Sequence, residues 1–383
     1  MGISIGVVGV GAFGSGFVGL FQKHPLVERI ALCDLDRDRL ANRAREHGIT
    51  ETYDSLDAIC RTDLDALVII TQPWLHARQV LQALASDKHV YSAVPMAYSD
   101  GDGDEVLESI AQIIQACRTT GRHYMMGETS YYRAEAMYCR RRAAAGDFGK
   151  LVHADGFYIH DVDWPACSLR DVARNRWGSR WSMAKSGGVP MHYPTHSTGG
   201  FLSVMKAHVT HLSALGYHDP QDDWHCADTE SGNIFGNEIA LMQLSNGATA
   251  TIKEFRWVGC EGYEGFSLMG SKASFSDHFG RSQWITREGV PARHLTDDEM
   301  RDPLPPDVQD AFRNAKGETD YGGHGGSHAY LVHEFVDAIA HNRTPAINAW
   351  EAARYLAPGI IAHKSALRDG ESMKVPDWGD APA

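Results

Sequence analysis

Three glycines and one aspartate near the start of the chain have the types and spacing needed to bind a dinucleotide. Gly9, Gly11 and Gly14 form a G-x-G-x-x-G motif. In this motif the first glycine permits a tight turn, the second lets a diphosphate approach the backbone, and the third lets a helix pack closely on a strand. Asp34 ends the next apolar segment, where an acceptor for the ribose hydroxyls is needed. Because its carboxylate would repel a 2′-phosphate, NAD is favoured over NADP.

The segments on either side of the glycines have the pattern that the motif requires. The β-branched run Ile3–Val10 precedes the last glycines, and the helix-like segment Ala12–Phe21 follows. The phosphates would then lie at a helix N-terminus, where free N–H groups favour anions. Because the chain has 38 glycines, a glycine-rich turn in some other α/β domain stays open as the alternative.

Strand and helix patterns alternate over residues 1–127, which predicts a Rossmann-type α/β domain with a doubly wound parallel sheet. Ligands bind beyond the carboxyl ends of such strands. Cofactor contacts are therefore expected in residues that follow the strands. These residues are Gly9, Gly11, Ala12, Phe13, Gly14, Asp34, Thr71, Gln72, Pro73, His76, Ala93, Val94 and Pro95.

The pattern changes after residue 150, where strand-like segments dominate. Asn246-Gly247 separates two of them and predicts a hairpin. Residues 128–383 are therefore expected to form an α+β domain with an open, mainly antiparallel sheet, and the final helices should pack back toward the first domain. Helices would cover one face of this sheet. The other face would serve for self-association, giving a homo-oligomer, either a dimer or a tetramer.

Composition limits the class of protein. The hydrophobic content of 43% and charged content of 22% are those of an ordinary globular protein. The net charge of −13 argues against general nucleic-acid binding, and no segment is long and apolar enough to span a membrane. Scattered cysteines without a C-x-x-C pair predict reduced thiols in a cytoplasmic protein. They are Cys33, Cys60, Cys117, Cys139, Cys167, Cys226 and Cys260.

Several longer motifs resemble the glucose–fructose oxidoreductase/inositol dehydrogenase (Gfo/Idh/MocA) family over nearly the whole chain. They are VGVGAFG (8–14), TQPWLHARQVLQAL (71–84), KHVYSAVPMA (88–97), GGVPMHYPTH (187–196), GSKASF (270–275) and the closing helix. The resemblance implies a nucleotide-binding domain joined to an open-sheet domain. Most members of this family oxidise or reduce sugars and polyols.

Two motifs depart from the pattern of the family. Its Glu-Lys-Pro appears here as Ala93-Val94-Pro95, and its Asp-x-x-x-His appears as His192 to His196. The family's lysine helps to move the proton of the reacting hydroxyl, which valine cannot do. His196 keeps its place, so the usual relay lacks two of its three members.

The replacements themselves resemble the NAD-dependent glycoside hydrolases of family 109, which are built on the same fold. The matching positions are Val94-Pro95, Met125-Met126-Gly127-Glu128 and Tyr193-Pro194-Thr195-His196. NAD-dependent sulfoquinovosidases are a second comparison. This resemblance implies a glycosidase in which the sugar is oxidised at C3, loses its C2 proton and its C1 substituent, gains water and is reduced again. Such a route needs acid and base groups near C3, C2 and C1.

Glu128 and His196 are the first candidates for these roles. Glu128 follows a strand end and could accept the C3 hydroxyl proton, which a pKa raised by burial would suit. The alternative for Glu128 is an ion pair with Arg133 or a helix cap. His196 follows Pro194, which favours the first helical position, so it is expected in the first turn. The alternative for His196 is a hydrogen-bonded core histidine.

Tyr193 and His192 are the remaining catalytic candidates. The phenol of Tyr193 could act at C2 or at the leaving group, but its ordinary pKa of about 10 would have to be lowered by positive charge. Its alternative is simple packing under the next helix. His192 and His196 are not expected to bind metal, because the proline between them breaks the helical spacing. An acid–base or substrate-binding role is favoured for His192.

A basic and aromatic segment, residues 168–185, lies just before these histidines. Tryptophan suits the C–H face of a sugar, and arginine suits carboxylate, sulfonate or phosphate groups, so an anionic glycoside is the predicted substrate. The alternative is a solvated surface or an oligomer interface. Lys253 and Arg256 are weaker candidates, and at most one can face the ligand. The predicted substrate contacts are Tyr131, Tyr132, Arg133, Arg176, Trp177, Arg180 and Lys185.

Three functions therefore compete on the sequence alone. An NAD-dependent glycosidase accounts for the glycine motif, the missing lysine, Glu128 and the Tyr-Pro-Thr-His motif together. An ordinary sugar or polyol dehydrogenase would need a substitute for the lysine missing at Val94, and His192 is the candidate for it. A catalytically silent sugar or nucleotide sensor accounts for the lost relay but not for the retained polar cluster.

Overall fold

The first sheet is parallel and contains six strands in the order 3-2-1-4-5-6. The computed structural model describes residues 2–166, 168–288 and 291–382. The strands of this sheet are β1 (Ile3–Val8), β2 (Val27–Cys33), β3 (Thr52–Tyr53), β4 (Ala66–Ile69), β5 (His89–Ser92) and β6 (Tyr124–Met126). Its helices are α1 (Ala12–Lys23), α2 (Arg37–His47), α3 (Leu56–Cys60), α4 (His76–Ala85) and α5 (Asp104–Thr120). The predicted Rossmann-type sheet is confirmed.

The strand order places the carboxyl end of β1 at the centre of the sheet. β1 pairs in parallel with β2 on one side and with β4 on the other. Strand connections run in opposite directions from this point, which leaves a crevice beyond the strand ends. The loops that follow β1, β4, β5 and β6 all open at this crevice.

The second sheet contains nine strands in the order 14-13-12-11-7-10-9-8-15 and is mainly antiparallel, as predicted. β10 pairs in parallel with β7, and the other pairs are antiparallel. Residues 246–247 form the predicted turn between β9 and β10. The strands are β7 (Leu151–Ile159), β8 (Val209–Tyr217), β9 (Asn237–Leu244), β10 (Thr249–Phe255), β11 (Tyr263–Gly270), β12 (Ala273–Ser276), β13 (Gln283–Thr286), β14 (Arg293–His294) and β15 (Met373–Lys374).

Helices cover one face of this sheet and leave the other face open. Along β9, Glu238, Ala240 and Met242 are buried, whereas Ile239 and Leu241 on the opposite face are exposed. The remaining helices are α6 (Ala134–Ala144), α7 (Leu169–Trp177), α8 (Thr195–Met205), α9 (Asp297–Met300), α10 (Pro306–Ala311), α11 (Gly323–Ala340) and α12 (Ala349–Ala366). The sequence patterns did not identify β8 or α7.

Short 3₁₀ helices position several of the polar side chains discussed below. They are Pro73–Leu75, Thr129–Tyr132, Gly178–Arg180, Met183–Lys185 and Pro190–His192. Each of the six described cysteines is a free thiol, and Cys167 lies outside the described residues. In the part of the chain that the structure describes, no helix combines the length and apolar character needed to cross a bilayer.

Candidate active site

The loop after β1 has the shape that a dinucleotide diphosphate requires. Gly9 has a φ of 90°, and a Cβ atom at Gly14 would lie 2.0 Å from the Gly9 carbonyl oxygen, so both positions need glycine. A Cβ atom at Gly11 would meet no atom within 4 Å, so space is open above the second glycine. α1 begins at Ala12 directly beside this space. These residues therefore fit a bound diphosphate.

Asp34 lies at the end of β2 and is held by the same loop. One carboxylate oxygen accepts a hydrogen bond from the Val10 N–H at 3.0 Å, and the other accepts one from the Asp36 N–H at 2.9 Å. Arg39 on α2 approaches Asp34 at 3.2 Å. The carboxylate is therefore fixed beside the crevice, where the adenine-side ribose of NAD would lie.

The loops after β4 and β5 are joined by a buried histidine. His76 is fully buried, with Nδ1 2.8 Å from the Pro95 carbonyl oxygen and Nε2 3.1 Å from the Thr71 carbonyl oxygen. His76 thus connects the two loops and does not present a free nitrogen to a ligand, in contrast to the predicted cofactor contact. Val94 is buried in the hydrophobic core, so no ionisable side chain stands where the family has its lysine.

Glu128 and His196 form a buried pair between the two sheets. Nδ1 of His196 lies 2.9 Å from Oε1 of Glu128, and the same oxygen accepts the Ser130 N–H at 2.8 Å. The Glu128 side chain has no exposed surface, and His196 is 7% exposed. Among the described residues, Oε2 of Glu128 has no hydrogen-bond donor. This oxygen is therefore the position at which a substrate hydroxyl could bind the carboxylate.

The pKa of Glu128 is shifted in the direction opposite to the one predicted. Burial would raise the pKa of Glu128, but His196, together with hydrogen bonds from Thr195 and Ser130, outweighs burial and lowers it. The pKa of His196 is lowered by burial and raised more strongly by Glu128 and Glu264, to about 9. A raised pKa for Glu128 was therefore the wrong expectation, because burial was considered without the histidine. The pair is an ion pair at neutral pH.

A second carboxylate lies near the same ring nitrogen of His196. Oε2 of Glu264 is 3.5 Å from Nδ1 of His196 and 2.9 Å from an Arg133 guanidinium nitrogen. Arg133 therefore pairs with Glu264. It forms no ion pair with Glu128 and does not offer a free guanidinium to a substrate, which differs from both predicted roles. Glu128 instead caps the 3₁₀ helix that follows β6, which is the helix-cap alternative given for it above.

Two tyrosines enclose His196 on the side of the cavity. The ring of Tyr158 lies edge-on to His196 with centroids 4.9 Å apart, and the ring of Tyr193 lies 5.5 Å away. The Tyr193 hydroxyl donates to the Val94 carbonyl oxygen at 2.9 Å. The Tyr158 hydroxyl lies 3.1 Å from Nδ1 of His160. Burial raises the pKa of both tyrosines, so both hydroxyls carry their protons at neutral pH.

His192 lies apart from these groups. Its ring is fully buried, with Nδ1 2.8 Å from the Ser99 carbonyl oxygen, and it stands edge-on to His363. Burial and His363 lower the pKa of His192 to about 3. Because its ring is bound to the Ser99 carbonyl oxygen and its pKa is lowered, the predicted acid–base role is not what this position supports.

The cavity has a volume of about 150 Å³ and receives side chains from both parts of the chain. Arg176, Trp177 and Lys185 line it, as predicted for the basic segment, whereas Arg180 does not. Lys185 is paired with Glu230. Among the described residues, no carboxylate forms an ion pair with Arg176. Arg256 also lines the cavity, whereas Lys253 is not among the lining residues.

An aromatic stack links the two parts of the chain at this cavity. Trp74, in the loop after β4, stacks on Trp177 of α7 with ring centroids 4.1 Å apart and an interplanar angle of 13°. Both rings line the cavity. Tyr131 and Tyr132 do not line it, in contrast to the prediction: Arg140 lies over the Tyr131 ring, and Tyr132 stacks on Tyr330.

Tyr158, His160 and His225 are among the polar residues of the cavity wall that the sequence analysis missed. Tyr158 and His160 form a Tyr-x-His pattern at the end of β7, and this position after a strand could have identified them. Asp222 and His225 form a buried pair in which Oδ2 of Asp222 lies 2.8 Å from Nδ1 of His225. This contact fixes the proton on Nδ1 and leaves Nε2 of His225 as an acceptor. His225 lines the cavity.

Metal binding has no support in this arrangement. Among the described residues, no group of three or more histidine, cysteine, aspartate or glutamate side chains is arranged to hold a metal ion.

Solved structures show the same fold. An oxidoreductase domain protein from Kribbella flavida superposes with a TM-score of 0.77 at 16% identity, over 98% of this chain and all of that chain. A levoglucosan dehydrogenase solved with NADH and levoglucosan gives a TM-score of 0.74, also at 16% identity, with coverage of 98% and 100%.

Sequence relatives point to one branch of this fold. A glycosyl hydrolase family 109 protein from Streptomyces filamentosus is 25% identical over 98% of this chain and 77% of its own length. A protein of the same name from Shewanella woodyi is 30% identical, but that match spans 53% of this chain and 44% of the relative.

Two family models match different parts of the chain. Residues 3–128 match the oxidoreductase family with an NAD-binding Rossmann fold, which confirms the predicted NAD domain, and residues 308–381 match the C-terminal domain of glycosyl hydrolase 109. The chain therefore combines an NAD-binding domain of the Gfo/Idh/MocA type with a C-terminal segment of the glycosyl hydrolase 109 type, and it is similar to glycosyl hydrolase family 109 proteins over nearly its whole length.

Proposed function

We propose that this protein is an NAD-dependent glycosidase that oxidises a sugar transiently at C3, eliminates the C1 substituent, adds water and reduces the sugar again. The observation that carries the proposal is the buried Glu128–His196 ion pair with two tyrosines beside it, in a site where Val94 replaces the family lysine. This site offers more proton-moving groups than one dehydrogenase relay needs. The family 109 relatives support the same reaction class.

Glu128 and His196 would act at the C3 hydroxyl. The nicotinamide of bound NAD supplies reversible oxidation and reduction at a sugar carbon. Oε2 of Glu128 is the free acceptor for the hydroxyl proton, since Oε1 already holds His196 and Ser130. The protonated His196 stabilises the charge of that carboxylate and orients it. Both groups are buried, so water does not compete for the proton.

The tyrosines would act at C2 and C1. Tyr158 lies beside His160, and its hydroxyl can pass a proton to the imidazole, which suits removal of the C2 proton. Tyr193 keeps its proton at neutral pH and suits protonation of the leaving group. The nearby Arg176 lowers the pKa of Tyr193 in part, against the effect of burial.

The substrate in this proposal carries a negative charge. Arg176 lines the cavity, and its guanidinium has no carboxylate partner among the described residues. A guanidinium binds carboxylate, sulfonate or phosphate through two parallel hydrogen bonds. Trp177 and Trp74 supply flat faces for the C–H side of a sugar ring.

A panel of neutral and anionic aryl glycosides tests the reaction. Release of the aglycone and the nicotinamide absorbance are followed together in the presence of NAD⁺. We expect release without net accumulation of NADH, and solvent deuterium at C2 of the product. Accumulation of NADH without release of aglycone would contradict the proposal and would indicate a dehydrogenase.

An ordinary dehydrogenase is less well supported, because it needs a substitute for the missing lysine. His192 was the candidate, but its ring is buried against the Ser99 carbonyl oxygen and its pKa is lowered to about 3. The variant Val94→Lys separates the two functions. A dehydrogenase limited by its relay should gain rate, whereas a glycosidase packed around valine should lose rate, since a buried lysine has no partner there. A gain in NADH production would contradict our proposal.

The proposal includes a homo-oligomer in a reducing, cytoplasmic compartment. The uncovered face of the second sheet carries exposed apolar side chains, among them Leu215, Tyr217 and Leu241. Apolar patches of this kind commonly bind a second subunit. Light scattering on the wild type and on Leu241→Glu tests it: we expect a dimer or tetramer that weakens in the variant, and a wild-type monomer would contradict this part.

A further inference from the structure

Residues 322–328, here called the histidine loop, lie against the dinucleotide-binding loop. The ring of His324 stands edge-on to Phe13 with centroids 5.5 Å apart, and the ring of His328 stacks on Phe17 at 4.2 Å. Both phenylalanines belong to α1: Phe13 lies within the glycine motif, and Phe17 lies one turn after it. The second part of the chain therefore reaches the place where the diphosphate of NAD would bind.

Hydrogen bonds fix the protons of both histidines. The Gly323 N–H donates to Nδ1 of His328 at 3.2 Å, so this nitrogen carries no proton and Nε2 of the neutral ring does. Nε2 of His328 lies 3.0 Å from Nδ1 of His324 and must donate to it. The proton of neutral His324 is therefore on Nε2. Burial lowers the pKa of both rings, which keeps them neutral at pH 7.

His324 is exposed, and its donor has no partner in the part of the chain that the structure describes. Among the residues that the structure describes, no hydrogen-bond acceptor lies against Nε2 of His324. The ring is also within electrostatic range of Glu264 and His196, so it lies between the diphosphate loop and the catalytic pair.

The loop is built to hold this donor in place. His324 has a φ of 51° and a ψ of 54°, and Gly325 and Gly326 also have positive φ. A Cβ atom at Gly323 would lie 2.9 Å from the His328 ring, so glycine is needed for the contact. The Arg301 guanidinium donates to the Gly325 carbonyl oxygen at 3.1 Å and fixes the loop from the other side.

We infer that the histidine loop contacts bound NAD. In this contact Nε2 of His324 donates a hydrogen bond to a phosphate or ribose oxygen on the nicotinamide side of the dinucleotide. This contact would help the protein to keep NAD bound through a reaction in which the cofactor is first reduced and then oxidised again. The inference rests on the NAD-binding domain and not on the glycosidase reaction, so either can fail without the other.

Nucleotide affinity of the purified protein tests the inference. NAD⁺, ADP-ribose and AMP are titrated calorimetrically into wild type and His324→Ala after removal of bound nucleotide. We expect the dissociation constants for NAD⁺ and ADP-ribose to rise about tenfold, as for a lost hydrogen bond to a charged group. The constant for AMP should change less than twofold, because AMP lacks the nicotinamide half.

Two variants separate a contact from a structural effect. His324→Gln keeps an N–H donor of similar reach and should recover part of the affinity for NAD⁺. His341→Ala removes an exposed histidine at the far end of α11 and should leave all three constants unchanged. Thermal unfolding of the nucleotide-free variants shows whether the loop change affects folding.

Three results would overturn the inference. The affinity of His324→Ala for NAD⁺ could stay within twofold of wild type. It could fall equally for NAD⁺ and AMP, which would indicate a general disturbance. It could also stay unchanged while the KM for the sugar rises, which would place the acceptor on the substrate. If the variants do not fold, hydrogen exchange of amides 322–328 in the wild type decides: NAD⁺ should slow it and AMP should not.

Discussion

His192 and His196 are four residues apart and equally buried, yet they carry different charges. The ring of His192 is held by the Ser99 carbonyl oxygen, and burial together with His363 lowers its pKa to about 3. The pKa of His196 rises to about 9 because two carboxylates outweigh the effect of burial. Burial by itself makes a histidine neutral. The charge is decided by Glu128, which is 68 residues away in the chain.

The strongest test of this difference removes the charge beside His196. Glu128→Gln keeps the shape of the side chain but lacks the proton acceptor, so we expect kcat for aglycone release to fall about 100-fold or more. Steady-state kinetics with an aryl glycoside measure it. A loss below about tenfold would show that Glu128 is not the base.

Two arginines four residues apart extend the comparison to the substrate. Arg176 lines the cavity, whereas Arg180 does not. Arg176→Gln should raise KM for an anionic glycoside about tenfold and leave KM for a neutral one unchanged, since one charged hydrogen-bonded contact is lost. Arg180→Gln is the matched control and should change neither value. Equal effects of both variants would contradict the assignment of Arg176.

His192→Asn should have a much smaller effect than the change at Glu128. Asparagine can still donate to the Ser99 carbonyl oxygen, and the position is neutral in both proteins. We expect kcat within about threefold of wild type and a loss of about 1 kcal/mol in the free energy of unfolding, as for one altered buried hydrogen bond. The kcat and denaturant unfolding measure these. A loss of kcat as large as that of Glu128→Gln would contradict the conclusion that His192 takes no part in proton transfer.

The smallest expected effect is a pH dependence of stability. The pKa of His196 is raised from 6.5 to about 9, so its contribution is full below pH 6.5 and is lost as pH rises through 9. The pKa of Glu128 is lowered from 4.5, so its contribution is present above pH 4.5 and is lost at lower pH. The difference in Tm between wild type and Glu128→Gln should be largest between pH 4.5 and 6.5. A difference that grows from pH 7 to 9 would contradict the ion pair.

The nucleotide end of the molecule could be predicted from sequence because it is encoded locally. Gly9, Gly11 and Gly14 act through the backbone within a few residues of one another, and the turn at residues 246–247 is likewise local. His76 was the exception, since its two partners come from different loops.

The substrate end could not be predicted to the same extent, because its contacts join distant segments. Arg133 pairs with Glu264, which is 131 residues away on β11, and only the folded chain brings them together. Tyr158 enters the site for the same reason. The sign of the pKa shift at Glu128 depends on His196, and no local pattern specifies that contact.

The stacked Trp74 and Trp177 rings give the mouth of the cavity an optical property. Two indole rings 4.1 Å apart and nearly parallel couple electronically, and they come from opposite sides of the crevice. Any ligand that separates them changes both their circular dichroism and their fluorescence. Entry of a sugar can therefore be timed without a dye, in the wild-type protein, by the light that these two side chains absorb and emit.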